Sequence, residues 1–223
     1  MEHSSIESYD YTKCYCEENI YKLCARIPKE KLGHFHVAFL SNENRAFPIF
    51  DQKTAKQRPY VIWDYHVILI EKRDKPNTSQ VFDFDTTRPF PTSFADYCKY
   101  SFPYEYVFPP EYTRYFRIID AEAYLKQFSS DRRHMKKEDG SWMSEPPKWE
   151  PIYRGEAGHN LDDFISMSPD SSTASYSQVV DETDFVQYFS DNKRTIMRMA
   201  RFEQFSSRKS KVQNQQKFFS EDD

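Results

Sequence analysis

The sequence predicts a mixed α/β domain of the α+β kind, built on a largely antiparallel sheet. Three observations predict it. The run YVIWDYHVILIEK at 60–72 is apolar or aromatic at nearly every position, QVFDFD at 80–85 follows it across the turn-rich RDKPNTS at 73–79, and apolar residues at helical spacing occur before and after both. Two strands joined by a tight reversal make an antiparallel hairpin, and amphipathic helices supply the surfaces that cover it.

Residues 1–12 are polar and read as a flexible lead-in to one domain over 13–190. From Glu17 to about Glu30, Ile20, Leu23, Cys24 and Ile27 recur at the spacing that places them on one helix face, with Cys16 at the helix start. Pro28 and Gly33 close this helix, and His34 to Ser41 reads as a strand with Phe35, Val37 and Phe39 on one side. The continuity of 60–72 marks a central strand covered on both faces.

Beyond the hairpin, a helix is predicted from Thr92, with Phe94, Tyr97 and Cys98 on one face. The strand FRIID at 116–120 leads into a short helix carrying Ala121, Tyr124, Leu125 and Phe128, for which Asp120 is a candidate cap. Ser129 to Leu161 is polar and proline-bearing, hence mostly loop, and a last short helix spans Asp181 to Phe189. Residues 191–223 form a charged tail, helical or disordered.

Composition removes several function classes. The net charge of -4, with acids and bases interspersed, leaves no broad basic face for a phosphate backbone, so no nucleic acid is expected. No apolar run approaches the roughly 20 residues that span a bilayer, and MEHSSIESYD is too polar for a secretory signal. The expectation is a monomeric cytoplasmic protein, with access to the nucleus and no membrane partner. The few glycines fit neither a dinucleotide loop, a Walker loop nor a serine elbow, and no cofactor or metal is expected.

Four cysteines (Cys14, Cys16, Cys24, Cys98) are too few for a disulfide scaffold in a chain of 223 residues. A cysteine nucleophile needs a lowered thiol pKa, a base within reach and a group that orients the base. At a helix start, Cys16 meets the positive end of the helix dipole and free backbone N–H groups, although Glu17 and Glu18 oppose a thiolate. If 60–72 and 80–85 pair about a turn near Lys75, His66 lies opposite position 83 or 84, which lets Asp83 orient its ring. Asp85 is the rival on the same face, and Asp64 flanks His66 on its own strand.

The blocks CYCEENIYKLC (14–24), VIWDYHVILI (61–70), VFDFDTTRPFP (81–91), FRIIDAEAYLKQFSSDRRHMK (116–136) and NLDDFISM (160–167) occur in this order. They resemble the signature blocks of the protein N-terminal glutamine amidohydrolase family, named for its Trp-Asp-Tyr-His-Val motif. The resemblance implies a three-layer α-β-α sandwich, similar to transglutaminase and papain-like cores, with Cys16 as nucleophile, His66 as base and Asp83 as its acid. It also implies hydrolysis of the side-chain amide of an N-terminal glutamine to glutamate, with release of ammonia, in the service of the N-degron pathway. The partners are then proteins or peptides with a free N-terminal Gln. Tyr21 departs from the pattern, where a tryptophan is expected, and neither Trp142 to Gly158 nor the tail aligns to it.

Selectivity for a chain terminus requires an acidic group for the α-ammonium. Glu17, Glu18 and Asp64 are candidates, Trp63 is a further substrate-binding candidate, and His134 is a possible accessory residue or structural hydrogen-bonder. Other readings remain to be weighed. A transglutaminase- or protease-like acyl transfer would share the triad, a binding module would not need it, and Cys14, Cys16, His34 and His36 form a candidate zinc set that the short C-x-C and H-x-H spacings disfavour.

Overall fold

The computed structural model describes residues 6–73, 75, 78–153 and 158–190. The charged tail at 191–223 lies outside the described residues. A six-stranded sheet forms the centre. Its strands are β1 (Phe35–Ser41), β4 (His66–Glu71), β5 (Gln80–Phe82), β6 (Thr92–Ser93), β7 (Tyr115–Asp120) and β8 (Ser177–Val180), in the order β6-β5-β4-β1-β7-β8. Each neighbouring pair is antiparallel. A separate ribbon joins β2 (Phe47–Phe50) to β3 (Tyr60–Trp63).

Alternation along β1 and β4 distributes the core to two sides, because successive side chains point to opposite faces. Val37, Phe39, Val67 and Leu69 pack with Ile20, Leu23 and Cys24 of α1 (Cys16–Ala25), Tyr124 of α3 (Ala121–Gln127) and Phe164 of α4 (Leu161–Ile165). Ala38, Leu40, Ile68 and Ile70 pack on the other side, against Phe94 and Tyr97 of α2 (Phe94–Ser101), Phe185 and Phe189 of α5 (Glu182–Phe189), and Phe47 and Ile49 of the ribbon. The result is the three-layer α-β-α sandwich that the resemblance implies. Burying a Leu, Ile or Phe in such a layer contributes about 1.5–3 kcal/mol each, which is why the two-sided β4 sits centrally.

Several elements differ from their sequence readings. The run 60–72 is two strands rather than one. It breaks at Asp64 and Tyr65, where the Asp64 side chain accepts the Tyr65 backbone N–H at 2.9 Å and its carbonyl accepts the Ser41 hydroxyl at 2.6 Å. Local side-chain hydrogen bonds of aspartate compete with a ladder, and here they turn the chain from the ribbon into the sheet. The first helix stops at Ala25, and Lys29–His34 form a separate 3-10 turn that includes Gly33.

The helix expected from Thr92 begins at Phe94, because Thr92 and Ser93 pair with β5 and Ser93 caps the helix by accepting the Asp96 N–H. Asp120 occupies the N-cap position of α3, yet its side chain makes no capping bond and lies 3.4 Å from His36 instead. The strands β2 and β8 carried too short a pattern to be recognised. The lead-in is also less loose than its polarity implies: Ile6–Ser8 form a 3-10 turn, and the Tyr9 and Tyr11 rings pack on Phe84.

Candidate active site

Cys16 is the first residue of α1, preceded by Cys14 in the left-handed region at φ 69°. The N-cap residue Tyr15 makes no side-chain capping bond to the first turn of α1, whose N–H groups lack an intrahelical acceptor. The Cys16 sulfur is buried, lies 3.7 Å from Glu17 Oε2, and takes a hydrogen bond from the backbone N–H of Val67 in β4. A helix terminus and the start of a central strand thus meet at one sulfur atom.

His66, one residue before Val67, is fully buried, and its ring lies 4.7 Å from that of Trp63 at 30°. Its Nε2 is 2.9 Å from Asp83 Oδ1. Its Nδ1 has no hydrogen-bond partner among the described residues. Asp83 is held on every side: Oδ2 accepts the Tyr97 hydroxyl at 2.9 Å and Gln52 Nε2 at 3.3 Å, and Oδ1 accepts the Asp85 backbone N–H at 2.9 Å.

The route to this contact differs from the hairpin estimate. In the observed register Leu69 faces Phe82 and Glu71 faces Gln80, so continuing the ladder by three residues would set Asp85 opposite His66. The ladder ends at Phe82, however, and the chain bends to be pinned by Lys53 N–H to the Asp85 carbonyl and Thr87 N–H to the Asp51 carbonyl, both at 2.7 Å. That bend, rather than direct opposition, turns Asp83 onto the imidazole.

The electrostatics follow from burial. Burial works to lower the His66 pKa, but the charge and hydrogen bond of Asp83, then the charges of Asp85 and Asp64, raise it above the ordinary value. Burial likewise acts to raise the Asp83 pKa, and His66 overcomes this and holds it below the usual range. Cys16 departs from expectation. Burial first, then Glu17 and Asp85, push its thiol well above the ordinary value, and the Val67 N–H only partly opposes them. Desolvation and the two neighbouring carboxylates thus oppose the helix start at this sulfur.

A cavity of about 280 Å³ opens over Cys16, walled by Trp63, Asp64, Tyr65, Asp85, His134 and Leu161 among others. Of the proposed substrate-binding residues, Trp63 and Asp64 line it. Glu17 is buried behind Tyr65, whose hydroxyl donates to Oε2 at 3.0 Å, while His134 Nε2 stands 3.5 Å from Oε1. Glu18 is committed elsewhere. Its two oxygens take Arg132 Nε and a terminal guanidinium nitrogen at 2.8 Å each, and Trp149 Nε1 donates to Oε2 at 2.7 Å, so no charge is left for a substrate.

Sequence reasoning missed Arg132, Trp149 and Tyr97. Arg132 stands at φ 66°, a conformation costly for a non-glycine residue, and its two-point ion pair with Glu18 helps to fix it there. The zinc reading fails on placement: His34 ends the 3-10 turn, and His36 is buried in the opposite layer against Tyr188 and Phe189. Among the described residues, the ligand-type atoms that do converge, within 4.8 Å of one another, are those of His66, Asp83 and Asp85.

The sequence matches the family model described as N-terminal glutamine amidase over residues 11–189. The chain belongs to that family. Relatives include the protein N-terminal glutamine amidohydrolase of Drosophila grimshawi, 44% identical over 188 residues, covering 82% of this chain and 90% of the relative. The protein of the same description from Drosophila melanogaster is 43% identical over 188 residues with the same coverage, and that of Drosophila pseudoobscura pseudoobscura is 46% identical over 167 residues, covering 73% of this chain and 81% of the relative. The amidase match runs through 142–158, the segment the resemblance left unaligned, and that segment supplies the Trp149 contact to Glu18.

Proposed function

We propose that this chain hydrolyses the side-chain amide of an N-terminal glutamine in proteins and peptides, leaving glutamate and releasing ammonia, with Cys16, His66 and Asp83 as its catalytic triad. Membership of the amidase family supports the reaction. One observation supports the triad above all: His66 is anchored through Nε2 to Asp83, its Nδ1 is unpartnered, and the next backbone N–H meets the Cys16 sulfur.

Burial and Glu17 disfavour a thiolate at Cys16, so attack is coupled to proton removal. His66 Nδ1 takes the Cys16 proton as sulfur bonds to the amide carbon, and the uncapped N–H groups at the head of α1 receive the oxyanion. Asp83 holds the Nε2 proton and steadies the imidazolium. As the carbon–nitrogen bond breaks, His66 returns its proton to the leaving nitrogen, which departs as ammonia. Water, deprotonated by His66, then attacks the thioester, and the sulfur leaves with the proton back on it.

The test offers peptides that begin with Gln, acetyl-Gln or Asn, or that carry only internal Gln, to the wild type and to Cys16→Ala, with ammonia as the readout. Release from the Gln-initiated peptide by the wild type alone is expected. Release from all four peptides would remove the terminus-specific reading, and release by Cys16→Ala would remove the nucleophile.

A further inference from the structure

A free N-terminus carries its α-ammonium about 5 Å from the side-chain amide carbon of a leading glutamine, four bonds away. A cavity selective for termini must hold that charge close to the nucleophile. Five carboxylates line the cavity or follow Cys16 directly in α1: Asp64, Asp85 and Asp162 line it, and Glu17 and Glu18 follow Cys16. Glu18 is neutralised by Arg132, Asp162 is paired with Arg45 at 2.6 Å, and Glu17 is enclosed behind Tyr65 and His134. Asp64 is exposed, where water screens its charge.

Asp85 differs from all four. It lines the cavity, is 4% exposed, and has no salt bridge among the described residues. Its Oδ1 accepts the Tyr11 hydroxyl at 2.9 Å, and Tyr11 itself stacks on Phe84 with centroids 5.6 Å apart. The other groups facing it are His66 and Asp83, whose ligand atoms lie within 4.8 Å, and Lys53, whose ammonium is bonded to the Phe84 carbonyl at 2.8 Å. A buried carboxylate without its own cation is costly, and that cost is relieved when a cation arrives. Asp85 and Cys16 line the same cavity, so a substrate whose amide carbon meets the sulfur has its α-ammonium on the side of this carboxylate.

We propose that Asp85 receives the α-ammonium of the substrate and that Tyr11, from the anchored lead-in, holds its carboxylate in place. This assignment rests on the amidohydrolase reading and explains how that site would select a chain terminus.

The test uses the full-length chain and two peptides that differ only at the first residue: glutamine, and its 4-carbamoylbutanoyl analogue, which keeps the side-chain amide but lacks the α-amine. The wild type is expected to prefer the glutamine peptide in kcat/KM. Asp85→Asn is expected to shrink that preference at least about tenfold, chiefly through KM for the glutamine peptide. Tyr11→Phe shrinks it by a smaller factor, and it carries the test alone if Asp85→Asn does not fold. Equal loss on both peptides would make Asp85 a support of His66 and overturn the proposal. So would an unaltered preference in Asp85→Asn or, failing that variant, in Tyr11→Phe, or a preference that collapses in Asp64→Asn or Glu17→Gln instead. A wild type that releases ammonia from neither peptide would refute the amidohydrolase reading itself, and the assignment with it.

Discussion

His66 Nε2 lies 2.9 Å from Asp83 Oδ1, and both side chains are wholly buried. With no water to share the charge, the ring proton on Nε2 is directed at the carboxylate and the lone pair is left on Nδ1. Asp83→Asn keeps the shape and loses the charge. Its turnover is expected to fall on the order of 1,000-fold or more, with KM changed far less, measured as ammonia release from a Gln-initiated peptide. A loss below tenfold would show that the orienter lies elsewhere.

Tyr97 donates to the other oxygen of Asp83 at 2.9 Å from within α2. Tyr97→Phe removes a hydrogen bond to a charged acceptor, worth about 1.5–3 kcal/mol. Denaturant unfolding is expected to register a loss of that size, and kcat is expected to drop about tenfold as the Asp83 carboxylate loses a restraint. Unchanged kcat would confine Tyr97 to a structural role.

In the proposed mechanism His66 acts as base only when neutral, and Asp83 raises its pKa. The acid limb of kcat/KM is therefore expected to lie on the alkaline side of about 6.5, the ordinary imidazole value, with activity lost as the pH falls through it. A limb well below that value would contradict the raised pKa.

Burial and then Glu17 push the Cys16 thiol pKa up. An uncharged alkylating reagent at neutral pH is expected to modify the exposed Cys14 before Cys16, read out by mass spectrometry. Glu17→Gln removes the carboxylate that ranks first among the charges acting on the sulfur, so its Cys16 alkylation curve should move to lower pH.

Arg132 and Glu18 of α1 form a buried pair. Arg132→Met strands the carboxylate and is expected to cost about 3–5 kcal/mol in denaturant unfolding. The double variant Glu18→Gln, Arg132→Met should recover part of that loss, because no uncompensated charge then remains.

Much of this architecture was legible in the chain. Alternation along 35–41 and continuity along 66–71 announce two central strands, and helical spacing from Ile20 to Cys24 announces the helix that presents Cys16. The short strands β2 and β8 were not legible, since four residues carry too little periodicity to separate a strand from a loop. Nor was the break at Asp64, which depends on a hydroxyl reached from Ser41.

The local pattern of residues determined by itself the antiparallel hairpin, the helix start at Cys16 and the pairing of His66 with an aspartate from the 80–85 run. Tertiary structure decided what spacing leaves open: that the chain bends after Phe82 so that Asp83 reaches the ring, that Glu18 is neutralised by Arg132 from 114 positions away, and that Asp85 is left buried with no salt bridge among the described residues. The physical reason is range. Periodicity reports which face of an element is apolar, whereas the charge state and partners of a buried carboxylate are set by groups that only folding brings near.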